Sequence, residues 1–380
     1  MRFLKPFLIF IIGFALYIPN AHAALSSSFE VSGWIPYWRS ATGTQEFLAH
    51  MDEFKEINPF AITVTADGRL KDQMNLTAAP WPQIQQLAKA KQIRVIPTVM
   101  WSDGNAIDKV LRNPVLRQAH IADIVAFVKN NNFDGIDIDY EAKLSDTQAY
   151  YSQFLKELYK AMGNKWVECE VEARTPEAER LAATSDDPKD YANDYKAIAK
   201  YCDRVRIMAY DQASVDQKLT SITQGPYIPV ADPRWVTAVL QNAMKTIPKS
   251  KITLGVATYG YEYKVTPVGT GYNYKLQWAF NPKYATDLAA QLGIAPTRNI
   301  AGELSFIYHP QNVTAATNVN SASAFGALAQ ATDSSFNILW WSDAQAVNDK
   351  IKLAKSLGLR GVSVFKIDGG ADPALWTVLP

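Results

Sequence analysis

The sequence predicts an α/β fold of the (β/α)8 TIM-barrel class, and three observations carry that reading. Short β-rich apolar runs alternate with amphipathic helical stretches, the pattern of repeated βα units. Eight such runs enclose seven helical patterns, as an eight-stranded barrel requires. No G-x-G-x-x-G turn follows any of the strands, which argues against a doubly wound sheet.

The strands are expected at 31–37, 60–65, 94–99, 133–139, 166–173, 204–210, 252–259 and 361–367. The helices are expected at 45–57, 81–91, 114–130, 146–162, 194–201, 233–246 and 343–357. From Tyr261 to Leu339 the chain spends roughly eighty residues before the last helix and strand, and unstructured loops of that length are rare. A turn-rich stretch (267–273), a helix-like one (283–292) and a polar run (311–323) fall inside it. A small inserted α+β subdomain between strand 7 and helix/strand 8, at about 261–339, is therefore expected to form one wall of a cleft.

Residues 1–23 are set apart from the fold. Arg2 and Lys5 give a positive start, 7–18 is apolar, and Ala21-His22-Ala23 fits an A-x-A cleavage site. A cleavable signal peptide and a secreted or periplasmic chain of 24–380 are the expectation. The apolar run is short for a membrane span. Losing Arg2 and Lys5 leaves 36 basic against 37 acidic residues. This near-neutral balance, with no basic run, excludes nucleic acid as a partner. His22, His50, His120 and His309 lack metal-ligand spacing, so neither metal nor cofactor is expected. A monomer is expected.

Aromatic residues make up 12% of the chain, which suits either a large ring-filled core or a cleft stacking on the apolar faces of sugars. Cys169 and Cys202 fall on neighbouring predicted elements, one mid-strand and one at a strand's start. That alignment is poor for a bridge, and buried free thiols are expected although an exported chain permits a disulfide.

The most informative stretch is Phe133-Asp134-Gly135-Ile136-Asp137-Ile138-Asp139-Tyr140-Glu141. Residues two apart on a strand share a face, so Asp137, Asp139 and Glu141 project together in steps of about 6.6 Å. Ile136, Ile138 and Tyr140 then face the helices. Like charges at such range push at least one carboxyl to hold its proton near neutrality. The C-terminal end of a barrel strand is where barrel enzymes keep their catalytic groups. Asp134 is out of phase and reads as structural. A straight strand does not converge its ligands on one cation. On the fifth strand Glu168, Glu170 and Glu172 alternate with apolar residues, and Arg206 is in phase with Met208 and Tyr210 on the sixth. An interior Glu170/Arg206 ion pair that biases the ladder's protonation is expected, with a purely structural polar core as the alternative.

The stretch 134–141 resembles the family 18 glycoside hydrolases, whose signature D-G-x-D-x-D-x-E it matches at every fixed position. Met208-Ala209-Tyr210-Asp211 is similar to the family's sixth-strand M-x-Y-D, and Leu254-Gly255-Val256-Ala257-Thr258-Tyr259-Gly260 to its seventh strand. Trp340-Trp341-Ser342-Asp343 and Gly358-Leu359-Arg360-Gly361-Val362 resemble its last segments. Gly33-Trp34-Ile35-Pro36-Tyr37-Trp38 and Asp372-Pro373-Ala374-Leu375-Trp376 are similar to the bacterial cell-wall and spore-cortex branch.

The resemblance implies Glu141 as general acid, Asp139 as the group orienting a substrate acetamido N–H, Asp137 as its charge- or proton-sharing partner, and Tyr210 as holder of the acetamido oxygen. Substrate contacts are expected from Asp211, Met208, Tyr37, Trp101, Tyr259, Trp341 and Phe365. Phe365 departs from the family, which often has Trp there. The implied partner is an N-acetylated polysaccharide or oligosaccharide of chitin or peptidoglycan type, cut by a retaining, substrate-assisted route. The alternative is a non-catalytic, lectin-like barrel. Such barrels generally lose the acid, and Glu141 is present.

Overall fold

The computed structural model describes residues 29–176, 191–215, 225–310 and 335–380. The expected signal peptide and the polar run 311–323 lie outside the described residues. In chain order the first strands are β1 (Glu30–Pro36), β2 (Glu56–Val64), the short β3 (Leu70–Asp72), β4 (Arg94–Val95) and β5 (Thr98–Trp101). They are followed by β6 (Gly135–Tyr140), β7 (Trp166–Glu172), β8 (Arg204–Met208) and β9 (Ile252–Ala257). An antiparallel group, β10 (Gly260–Val268), β11 (Gly271–Phe280), β12 (Thr297–Arg298), β13 (Leu304–Tyr308) and β14 (Phe336–Trp341), precedes the last strand, β15 (Gly361–Phe365).

Parallel pairing runs β1-β15-β9-β8-β7-β6-β5-β2, and β1 pairs with β2 to close the ring. This is the expected (β/α)8 barrel. Helices on its outside bury one face each. Gln148–Met162, for example, turns Tyr151, Phe154, Leu155 and Leu158 inward, where Ile136, Ile138 and Tyr140 of β6 lie in the same apolar layer.

Three elements differ from expectation. The helix expected at 45–57 is Ser40–Ala49, and Glu56 and Ile57 instead open β2. A 3-10 turn at Met51–Glu53 ends the helical run, and β2 starts deep enough to pair Glu56 with both Ser32 and Arg94. The third barrel strand is split at Ile96-Pro97, where proline supplies no N–H to a ladder. An additional helix, Gly104–Arg112, follows β5, with Asp103 accepting from the Ala106 N–H at 3.0 Å as its cap.

The barrel interior is polar. At its lower end Glu30 takes hydrogen bonds from Arg94, Arg204 and Arg360, and the three guanidinium groups overcome burial to hold its carboxyl down at about 2. In the middle Arg206 meets Glu56, Asp137, Glu168 and Glu170. The expected Glu170/Arg206 pair is thus present, as one contact among four.

The antiparallel strands between β9 and β15 form a five-stranded sheet in the order β11-β10-β14-β13-β12. The helix Pro282–Leu292 contributes Ala285 and Ala289 to a core with Phe280, Phe306, Leu339 and Trp341. Glu262 of β10 accepts from Trp278 Nε1, the Tyr284 and Tyr308 hydroxyls and Asn337 Nδ2, at 2.5–3.1 Å. Trp341, expected to line a sugar subsite, is fully buried in this core. It lies edge-on to Phe280 and Phe306, because β14 is an interior strand of the sheet and this face is covered.

Cys169 and Cys202 form a disulfide, so free thiols are not what the fold holds. Cys169 points outward from β7, opposite in phase to Glu168 and Glu170, and Cys202 caps the helix Tyr195–Tyr201 that packs there. Alignment along the two strands is therefore the wrong criterion. The bond ties a strand to the end of the helix laid over it. Because it closes a loop of 33 residues, Cys202→Ala is expected to destabilise the fold by about 3–4 kcal/mol, read as a lower urea midpoint that reductant does not lower further.

Candidate functional site

The site is built on β6. Alternation puts Asp137 and Asp139 inside the barrel, both buried, with Glu141 one residue past the strand's end. The outward residue Tyr140 is fixed from behind. Its hydroxyl bonds His120 Nε2, while His120 Nδ1 lies 2.6 Å from the Gly68 carbonyl oxygen. A carbonyl only accepts, so Nδ1 carries the hydrogen and Nε2 accepts from Tyr140. Burial lowers His120 to about 4, which keeps the ring neutral for this role. Trp101 packs at 5.5 Å against both rings and is buried, so it does not line the expected subsite. Trp101 lies directly beside Tyr140 in the β5–β6 register and shares its outward phase.

The three carboxyls of the ladder have different surroundings. Asp137 accepts from Thr98 Oγ1 at 2.6 Å and Trp34 Nε1 at 3.2 Å, with Arg206 Nη1 at 3.0 Å from its other oxygen. Asp139 is pushed well above the usual carboxylate range, first by burial and then by Glu141 and Asp137. Glu141 is also raised, by burial and then by Glu172, while Lys143 pulls it back. Glu172 of β7 accepts from the Ala142 N–H and Asn193 Nδ2, both at 2.9 Å, and stands 3.4 Å from Lys143. Gly104 makes the turn after Glu141 possible, since a Cβ there would lie 2.2 Å from the Ala142 carbonyl oxygen. Asp134 lies below, accepting from the Val95 N–H at 2.8 Å, a structural contact.

Phe365 forms the floor. It stacks on Tyr210 at 5.8 Å and 16°, and meets Trp34, Phe60 and Tyr259 edge-on at 5.8–6.2 Å. Gly255 leaves room for Tyr210, whose Cε1 is 2.9 Å from where a Cβ would sit. Asp211, with φ +58°, turns back so that one oxygen accepts from the Tyr259 and Tyr261 hydroxyls at 2.7 Å each. Burial raises Asp211 while the two hydroxyls oppose the shift. Met208 is half-buried and lies beside Glu172 in the β7–β8 register.

A cleft of about 590 Å³ opens from Asp211, Tyr259 and Phe365 toward the antiparallel wall, passing Trp38, Lys366 and Trp278. Trp38 and Trp278 are about half exposed, and Tyr37 stands edge-on to Trp38 at 4.9 Å. Of the residues expected at the site, Asp211, Tyr259 and Phe365 line this cleft, Tyr210 packs against Tyr259 and Phe365, Tyr37 supports the rim, and Trp101 and Trp341 are elsewhere. Thr98, Tyr261, Trp278 and Lys366 were not expected. Thr98 is in register with Asp137, and Tyr261 follows Tyr259 at a spacing of two, signals that period-two reading of the neighbouring strands contains.

A family model described as glycosyl hydrolases family 18 matches residues 33–370. The "uncharacterized glycosylase YvbX" of Bacillus subtilis is 24% identical over 73% of this chain and 69% of its own. The cortical fragment-lytic enzyme of the same organism is 22% identical over 80% of this chain and 63% of its own, so this chain spans less than two thirds of that relative. A chitinase structure from Chromobacterium violaceum superposes with TM-score 0.69 at 22% identity, covering 93% of this chain and 98% of that one, a likeness of fold.

The charges around Glu141 set the pH at which it gives up its proton. Glu172→Gln removes a neighbour that raises it, and Lys143→Met removes one that lowers it. In a pH–rate profile the basic limb is expected to move to lower pH in the first variant and to higher pH in the second.

Proposed function

The chain belongs to the glycosyl hydrolases of family 18, and from that premise we propose that it is a retaining glycosidase cutting β-1,4 bonds after N-acetylglucosamine in chitin- or peptidoglycan-type glycans. The observation that carries the reading is the ladder itself. Two carboxyls are raised above their ordinary range, chiefly by burial, at the C-terminal end of a barrel strand, beside an aromatic floor and an open cleft.

In this mechanism Glu141 gives its proton to the glycosidic oxygen as the bond from that oxygen to the anomeric carbon breaks. The substrate's own 2-acetamido oxygen attacks the anomeric carbon from the opposite face, forming an oxazolinium ion. Asp139 orients the acetamido N–H and stabilises the positive charge that develops. The Tyr210 hydroxyl holds the acetamido oxygen in line. Burial keeps Tyr210 protonated, since its phenol is pushed well above its ordinary range. Glu141, now a carboxylate, takes a proton from water as the water oxygen attacks the anomeric carbon, and the ring opens with retained configuration.

The reading requires an acetamido group on the sugar whose anomeric bond breaks, which is why the substrate class is limited to N-acetylated glycans. The relatives' names span chitin and spore-cortex degradation, and support both substrates. Phe365 offers less stacking area than Trp and no N–H donor. The signal-like sequence at 1–23 supports action outside the cytoplasm.

Release of 4-methylumbelliferone from a chitobiose glycoside is expected for the native chain and reduced at least about a hundredfold in Glu141→Gln. Tight sugar binding with no product from any acetylated substrate would instead make the barrel a lectin. Mass spectra of products from muropeptides and from chitin oligomers separate the two substrate classes.

A further inference from the structure

Glu141 stands one residue past the end of β6, and among the described residues no hydrogen bond holds its carboxyl. The direction of its side chain is therefore set by the two peptide units that flank it. In the first, the Glu141 N–H donates to the Trp101 carbonyl at 2.9 Å, and the Tyr140 carbonyl accepts from Lys143 Nζ. In the second, the Ala142 N–H donates to Glu172 Oε1 at 2.9 Å. Ala142 itself has φ +51°, in the left-handed region where its Cβ is crowded and which an alanine disfavours. A residue held there needs something to hold it.

Glu172 is placed to do so by strand register. Asp137 lies beside Glu168 and Ile138 beside Cys169, and the same offset carries Glu172, the last residue of β7, to the level of Glu141. One of its oxygens takes the Ala142 N–H. The other accepts from Asn193 Nδ2 at 2.9 Å and stands 3.4 Å from Lys143 Nζ. Asn193 is buried just before the helix Tyr195–Tyr201, and the Lys143 side chain is buried with its Nζ 5.0 Å from the Tyr151 ring centre. A partly exposed carboxyl is thus fixed by two buried donors. On the other side the turn meets the start of the helix Gly104–Arg112, where a Cβ on Gly104 would lie 2.2 Å from the Ala142 carbonyl oxygen. The turn after the acid is held between that helix and Glu172.

We propose that Glu172 is a positioning residue for the hydrolysis: by accepting from the Ala142 N–H it holds the left-handed turn behind Glu141, and with it the direction from which the acid meets the glycosidic oxygen. This rests on the family 18 reading of the site and adds to it a residue that acts through the backbone of the acid. Without the acceptor, Ala142 relaxes toward negative φ and the Glu141 side chain swings with the shared peptide. A misplacement of about 1 Å in a reacting group costs on the order of a hundredfold in rate. Asp139, Tyr210 and the Phe365 floor stay in place, so the loss falls on kcat and leaves KM near its native value.

The test measures kcat and KM on the chitobiose glycoside, each variant at its own optimum pH, with circular dichroism to confirm folding. Glu172→Ala is expected to lose about ten- to a hundredfold in kcat with KM changed by no more than about twofold. Glu172→Gln keeps an oxygen for the Ala142 N–H, and Asn193, whose Oδ1 has no partner among the described residues, can turn its amide to meet the new Nε2. It is expected to keep kcat within about threefold of native. Glycine enters the left-handed region freely, so adding Ala142→Gly to Glu172→Ala is expected to recover about tenfold in kcat. Should Glu172→Ala fail to fold, Glu172→Leu, which fills the space without an acceptor, carries the same expectations. Native kcat in the folded Ala or Leu variant overturns the proposal. So does Glu172→Gln as slow as Ala, a double variant with no recovery, or a rise in KM at unchanged kcat, which would make Glu172 a substrate contact. Absence of hydrolysis by the native chain would overturn the glycosidase reading, a result separate from all of these.

Discussion

Charge balance inside the barrel is the constraint on which the rest of the structure depends. Barrels of this kind usually fill their interior with layers of branched apolar side chains. Here Glu30 sits among three arginines at the lower end, and Arg206 sits among four carboxyls above it. Each ion is acceptable only because its partner arrives from another strand at the right height. A one-residue slip of β7 would turn Glu168 and Glu170 out among the helices and bring Val167 and Cys169 inward. Strand register and site chemistry are thus specified by the same contacts.

The ladder was readable because a strand has period two and because apolar residues alternate strictly with its acids. The fold was readable for a similar reason, since each barrel strand carries its own turn signals and helical neighbour. Glu56 was not readable. The helical pattern before it runs on in sequence past the point where the three-dimensional chain turns to meet β1, so pattern alone assigns the residue to a helix. The disulfide escaped because it joins a strand to a helix end, and strand alignment says nothing about that contact. Trp101 and Trp341 show the limit of reading rings from sequence. Each is large and near the expected cleft in chain order, and each belongs to a core because of the face it occupies.

The aromatic surplus divides by location. Trp81, Trp235 and Trp341 are buried in the cores, and Trp34 is buried between the arginine and the floor. Trp38 and Trp278 alone among the described tryptophans are strongly exposed, and both border the cleft. Composition cannot separate these groups, because a ring over an arginine and a ring facing solvent count alike.

The Glu262 knot has a consequence for how this protein can diverge. One carboxylate gathers donors from β11, β13, β14 and the wall's helix, and the wall has apolar cores of its own. The wall is therefore held together largely without the arginine-centred interior. Loop length or side chains along its rim can vary with little disturbance to the acids on β6. Preference for one glycan over another and competence to cleave are, in this architecture, separately inheritable traits.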